Sequence, residues 1–322
     1  TGYGRVVRDP KGGVKRIVEQ KDATTEELEI QEVNSGIYVF DSVALFEILP
    51  NLGTENSQGE YYLTDAVETL AAQGGKVEAL AFQDSGLLMG VNDRWQLAMA
   101  EKIMRQRILQ RHAVNGVSLQ DIDSIYIDAD VEIGTSTTLE AGTHLRGATK
   151  VGQGCRIGPN TVVVDSNVDD GSIVLLSHVR QAKIGTKVKV GPFANIRPGA
   201  VLGDGSKVGN FVELKNATLG PGVAASHLAY IGDAEVGAGS NIGAGTITCN
   251  YDGDSKYRTS IGENVFVGSN STLVAPLTIG DGAFVAAGSV ITHDVPSDAL
   301  ALGRARQEVK EGWVPRWRKR KK

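Results

Sequence analysis

Cysteine is almost missing from this chain. Cys155 and Cys249 are the only two in 322 residues, too few and too far apart for a disulfide framework, and they fit a reducing cytoplasm. No apolar run approaches the ~20 residues that a membrane-crossing helix needs, so membrane insertion is not expected. No signal peptide opens the chain, and the expected location is cytoplasmic. An initiator Met is also lacking: "TGYGRVVRDPKGG" reads as the interior of a domain, and the sequence is expected to be a piece of a longer protein. Histidine is scarce. His112, His144, His178, His227 and His293 show no short paired spacing, which argues against zinc. The net charge of −5 and apolar fraction of 41% are those of an ordinary globular protein, and no nucleic-acid partner is expected.

Glycine is the excess, with 40 residues, about one in eight against a usual ~7%. Such an excess implies many turns. Residues 1–92 mix strand-like runs ("GRVVR", "GIYVF", "KVEALAF") with helical patches ("SVALFEIL", "YLTDAVETLAAQ"), which predicts an α/β unit. From Asp93 to Ala113 there is neither Gly nor Pro, and Leu97, Ile103, Met104 and Ile108 fall near helical spacing. A linker helix over 93–115 is predicted, with Asn92 or Asp93 near its N-cap.

Beyond it the pattern changes. Ile127, Ile133, Leu139, Leu145, Val151, Ile157 and Val163 recur at every sixth position. After short irregular spacings the period returns from Ile184 to Leu214, and again from Ile261 to Ile291. Six residues fit neither an α-helix nor an alternating strand, but they fit a parallel β-helix. Each short side contributes one inward aliphatic, and Gly, Asn or Asp turns the corner. Three sides make a coil, so 127–291 should hold about nine coils at ~4.8 Å each, roughly 40 Å in all. The predicted β-helix domain runs over 116–308. Two stretches leave the repeat: "CNYDGDSKYRTS" at 249–260, too long for a corner, and the tail 309–322, with six basic residues from Arg316 onward.

Polar residues gather near these interruptions. Arg197 and Lys215 lie one full coil apart, which stacks two cations in adjacent layers; an anion between them is one reading, two solvated side chains the other. His227 and Tyr230 in "SHLAYIGD" fall within one six-residue side and should reach one local surface. His227 is read either as a surface histidine or as a proton carrier. Asn241, Asn250, Tyr251 and Lys256 follow close downstream.

"GPFANIRPGA", "GNFVELKN", "HLAYIGDAEVGAGSNIGAGTITCNYDG" and "VFVGSN" resemble the acetyltransferase half of the bifunctional N-acetylglucosamine-1-phosphate uridyltransferase / glucosamine-1-phosphate N-acetyltransferase family, the GlmU family. "TGYGR", "IVEQKDAT", "EVNSG", "GEYYLTD" and "GVNDR" resemble the second part of its uridyltransferase half. The likeness covers essentially the whole chain. It implies a left-handed parallel β-helix of hexapeptide repeats, preceded by a truncated α/β nucleotidyltransferase domain and a linker helix.

It also implies roles. Arg197 and Lys215 match positions that grip a sugar phosphate; Tyr230, Asn241 and Lys256 match sugar contacts. His227 matches the general base, with Asn250 and Ser269 as further catalytic positions. Ala244, Asn250, Tyr251, Ser269, Ala287, Arg304 and Trp313 match positions lining an acetyl-CoA site, Trp313 reaching a neighbouring subunit in some members. Gly4, Glu19, Asn34 and Asn92 match UDP-sugar positions, and Asn92 a magnesium ligand, Mg2+ serving only the uridyltransferase half. The family is a homotrimer acting on glucosamine 1-phosphate, with acetyl-CoA as co-substrate. The Gly-rich triphosphate loop and metal-holding Asp of a pyrophosphorylase are not in this sequence, so uridylyl transfer is expected only of a full-length protein. The competing reading is a sugar-nucleotide pyrophosphorylase whose β-helix is a non-catalytic scaffold. A purely structural β-helix is a third, disfavoured by the 249–260 excursion and the tail.

Overall fold

The computed structural model describes residues 2–320. They fall into two compact units that divide between Ile103 and Met104, each with its own apolar cluster.

In the first unit Arg5–Arg8 and Val14–Val18 form an antiparallel hairpin. The helix Thr64–Ala72 presents Ala66 and Val67 as buried residues, and Val67 joins Val6 and Val14 in a small core. The helix Ser42–Ile48 starts where Asp41 accepts a hydrogen bond from the Ala44 amide, an ordinary N-cap. Both helices are where the pattern predicts them. The segments "GIYVF" and "KVEALAF" are not strands. Tyr38, Phe40, Val77 and Ala79 pack on the core, but Ile37, Val39, Leu80 and Phe82 face outward. A strand is defined by its hydrogen-bonded neighbour, and among the described residues these segments have none.

The long helix is Arg94–Val114. Asp93 is its cap: the Asp93 carboxylate accepts from the Gln96 amide at 2.7 Å, while the Asn92 amide donates to the Gln96 side chain at 2.6 Å. Toward its end Leu109 is buried and joins the core of the second unit.

That core is a left-handed parallel β-helix. Its three sheets hold ten, nine and eleven strands, beginning at Ser118–Leu119 and ending at Leu300–Ala301. Most sides are strands of two or three residues. Lys189–Val190 is typical, the first side chain out and the second in. Consecutive coils pair in parallel, so inward residues stack as Leu145, Val163, Val179, Ile196, Leu214 and Ile231 up one sheet, all buried. The lapses in the six-residue period are not breaks in the solenoid. Where a side is one residue short, the corner is turned by Asp165, Gln181, Asn216 or Asp233 at positive φ.

A second inward position carries a small residue. Thr137, Cys155 and Ser172 stack at one corner; Thr137 Oγ1 donates to the Gly152 carbonyl at 2.7 Å and Ser172 Oγ to that of Gly185 at 2.7 Å. These hydroxyls satisfy corner carbonyls that would otherwise be buried without a donor. Cys155 fills the same niche, and burial pushes its thiol pKa up, so its part is packing.

Candidate functional site

His227 closes the strand Ala224–His227, level with Asn210 one coil earlier. In the same sheet Ala225 pairs with Ile242, Ile242 with Val267, and Val267 with Val285. His227, Ala244, Ser269 and Ala287 each come two positions after one of those inward residues. The four therefore occupy one edge in successive coils, rising about 4.8 Å per step. Backbone bonds hold that register: the Asn270 amide donates to Ala244 O at 2.7 Å and the Gly288 amide to Ser269 O at 2.8 Å. Arg304 closes the far end, its Nη1 donating to Ala287 O at 2.8 Å. Above the histidine this edge carries only small side chains. Asn241 lies on the outer face of the same sheet, paired with Ala224 and Phe266.

Leu228, at φ 52°, turns the chain from the His227 strand into Tyr230–Gly232, in the next sheet. His227 and Tyr230 therefore flank a corner and do not share one side, contrary to the expectation from spacing. In that second sheet Arg197, Lys215 and Gly232 follow one another in adjacent coils. The stacking of the two cations is as expected, but the protein supplies an anion itself. Arg197 Nη1 meets Glu213 Oε1 at 2.7 Å, so the stack alone does not demand a ligand. Lys215 makes no salt bridge among the described residues. The Tyr230 ring folds back over Gly232: a Cβ there would lie 2.4 Å from the Tyr230 hydroxyl oxygen. Glycine thus lets the phenol lie over the position level with Lys215.

Asp233, the corner residue that follows, joins the parts. Its Oδ1 accepts from Asn216 Nδ2 at 2.6 Å and its Oδ2 from the Asn250 amide. Burial pushes its pKa up, but the bonds from Asn216 and Asn250, with the charges of Lys215 and Lys256, hold it below the usual carboxylate value. Asn250 is itself buried, and one of its two amide N–H groups is committed to Asp233. The excursion after it is a tight hairpin. Tyr251 and Lys256 bridge each other, Asp252 caps the turn through the amides of Asp254 and Ser255, and the Tyr257 amide returns to Asn250 O at 2.9 Å. The hairpin thus carries Lys256 near enough for its charge to act on Asp233, as that of Lys215 does, while the Tyr251 hydroxyl donates to the Gly253 carbonyl of its own loop.

Three site residues escaped the reading of the sequence: Asn210, Glu213 and Asp233. Aligning the coils pairwise reveals them, because Asn210 falls level with His227 and Glu213 level with Tyr230. Trp313 lies on the helix Trp313–Lys319, its ring stacked on Trp317 at 5.7 Å. Of the six tail cations, Lys321 and Lys322 lie outside the described residues.

In the first unit, Gly4, Glu19 and Asn34 come together. The Asn34 amide donates to Gly4 O at 2.9 Å, and Glu19 Oε2 would stand 3.4 Å from a Cβ on residue 4. Asn92 sits at the helix start, its recorded bond going to Gln96. Mg2+ wants carboxylate oxygens in near-octahedral array. Asn92 offers one amide oxygen, and among the described residues no group of three or more His, Cys, Asp or Glu could hold a metal ion. The residues present do not make a magnesium site. No described helix is long and apolar enough to cross a membrane.

Comparison with known proteins agrees with this architecture. The family model "Bacterial transferase hexapeptide (six repeats)" matches residues 181–216, and "Hexapeptide repeat of succinyl-transferase" matches 258–293. The Bifunctional protein GlmU of Caldanaerobacter subterraneus subsp. tengcongensis is 52% identical over 314 residues, 98% of this chain and 68% of that protein. The protein of that name from Streptococcus agalactiae is 51% identical over 313 residues, 97% of this chain and 68% of that one. That from Geobacillus sp. is 49% identical over 315 residues, covering 98% and 69%. At half identity along nearly its whole length, the chain belongs to the family of bifunctional GlmU proteins.

Proposed function

We propose that this chain transfers the acetyl group of acetyl-CoA to the amine of glucosamine 1-phosphate, giving N-acetylglucosamine 1-phosphate for UDP-N-acetylglucosamine and cell-wall precursor synthesis in the cytoplasm. The observation that carries the reading is the edge on which His227 is followed, coil by coil, by Ala244, Ser269 and Ala287, with Lys215 and Tyr230 just around the corner.

The chemistry fits these groups. The thioester arm lies along the small-residue edge, its phosphates toward Arg304 and the basic tail. The sugar phosphate sits by Lys215 and Arg197, with Tyr230, Asn241 and Lys256 toward the sugar. His227 takes the proton as the amine nitrogen attacks the thioester carbonyl carbon. The carbon–nitrogen bond forms, the carbon–sulfur bond breaks, and the proton passes from the imidazolium to the leaving thiolate. The second N–H of Asn250, or a backbone amide of the corner, serves the carbonyl oxygen as its charge develops. No metal is needed for this step.

Two further readings complete the proposal. Gly4, Glu19 and Asn34 form a UDP-sugar contact that serves uridylyl transfer from UTP, with Mg2+, in a full-length protein. The active assembly is a homotrimer. Supporting that, the corner beside His227 exposes a ridge of Phe193, Phe211 and Leu228, at 53%, 58% and 59% exposure.

The test is thiol release from acetyl-CoA, measured with and without glucosamine 1-phosphate, beside an assay of UTP consumption. Amine-dependent release of CoA is expected. Release that ignores the amino sugar, or its absence with active-site residues intact, sinks the acetyl-transfer reading.

A further inference from the structure

The His227 side chain is not left to choose its own tautomer. Its Nδ1 is hydrogen-bonded to Asn210 Oδ1, contributed by the strand Lys207–Asn210 one coil earlier. The parallel ladder sets Asn210 and His227 level with each other, so the contact is built into the register and does not depend on a mobile loop. An amide carbonyl oxygen can only accept. With the Asn210 carbonyl oxygen turned to the ring, Nδ1 is the donor, and the Nε2 lone pair is left as the basic site. The backbone holds the asparagine independently of this bond, since Asn210 O accepts from the Leu228 amide at 2.9 Å.

We infer that Asn210 is a positioning residue that sets the tautomer and ring orientation of His227, so that Nε2 faces the amine. The inference rests on the reading of His227 as the base. It assigns to a neutral amide the orienting task that a buried carboxylate performs in a Ser–His–Asp triad. A carboxylate would place a full opposite charge beside the ring, whereas an amide orients it without one.

The experiment has two arms. Solid-state 15N NMR of histidine-labelled protein, with the His227 resonance assigned by its loss in His227→Gln, reports the tautomer directly. Protonated Nδ1 and bare Nε2 are expected in the wild-type neutral ring; protonated Nε2 there overturns the inference, whatever the variants do. In the second arm Asn210→Ala is expected to lower kcat about 10- to 100-fold with both KM values within about two-fold, and Asn210→Asp, which keeps an acceptor in place, to bring kcat back within about five-fold of wild type. Full kcat in Asn210→Ala while His227→Ala is inactive removes Asn210 alone. Full activity in His227→Ala removes the base reading with it.

Discussion

His227 and Arg197 stand on two sides of one corner, and their substitutions should separate chemistry from binding. His227→Ala is expected to cut acetyl transfer at least ~100-fold, the usual worth of a general base, with sedimentation unchanged. Normal turnover would remove it as the base. Arg197→Ala should chiefly raise the KM for the sugar phosphate. Because Glu213 already neutralises part of that guanidinium, Lys215→Ala should raise it more. Equal KM values in all three proteins would count against the phosphate assignment. Asp233 gives a pH dependence with a definite sign. Its folded pKa is depressed, so its contribution is complete above the ordinary value of 3.8 and is lost as pH falls from there through the folded value. Urea unfolding of Asp233→Asn should therefore show a shallower loss of stability across that acid range than wild type. An identical slope would show that Asp233 is not a structural charge.

At the scale of one coil, the glycines of the site divide into two kinds. A Cβ on Gly268 would lie 2.4 Å from the backbone nitrogen of Ala287 in the next coil, and backbone cannot move aside without disturbing the ladder. Gly268→Ala is expected to cost about 1–3 kcal/mol in chemical denaturation, as overpacking does. A Cβ on Gly232 meets a half-exposed tyrosine that can swing away. Gly232→Ala should cost less stability than Gly268→Ala, because the atoms it meets are the far end of the Tyr230 side chain and not backbone, and should show itself as a raised KM for the sugar phosphate. Were the two effects reversed, the Tyr230 ring would not be resting where the sugar is proposed to bind.

At the scale of the whole molecule, the corner ridge asks for a partner. Phe193, Phe211 and Leu228 hold φ of 59°, 56° and 52°, a region that bulky side chains rarely adopt and that Asn or Gly takes at less cost. Phe193 and Phe211 stack at 5.4 Å while remaining half exposed. A chain that kept this ridge in water would gain by exchanging it for asparagine. In the proposed trimer the ridge is covered, and Phe211→Asn should shift sedimentation toward smaller species and reduce acetyl transfer with it. A variant that is more stable, equally active and unchanged in mass would assign the ridge no role in assembly.

The six-residue period was enough to specify a three-sided parallel solenoid, because one inward aliphatic per side is a local rule that needs no knowledge of distant residues. The same rule put Arg197 and Lys215 in one stack. The linker helix was legible for a similar reason: an unbroken run without Gly or Pro, opened by a capping Asp93. The first unit was less legible. "GIYVF" and "KVEALAF" have strand composition, but a strand exists only where another strand pairs with it, and here none does. The sequence also left the coil lengths uncertain wherever a corner drops a residue. A shift of one position there decides which side chains end up level, so Asn210 against His227, and Asp233 between Asn216 and Asn250, became visible only once the ladder was in place. The residue types were written in the chain; which of them touch was decided by the register, since parallel hydrogen bonding fixes partners that lie a whole coil apart.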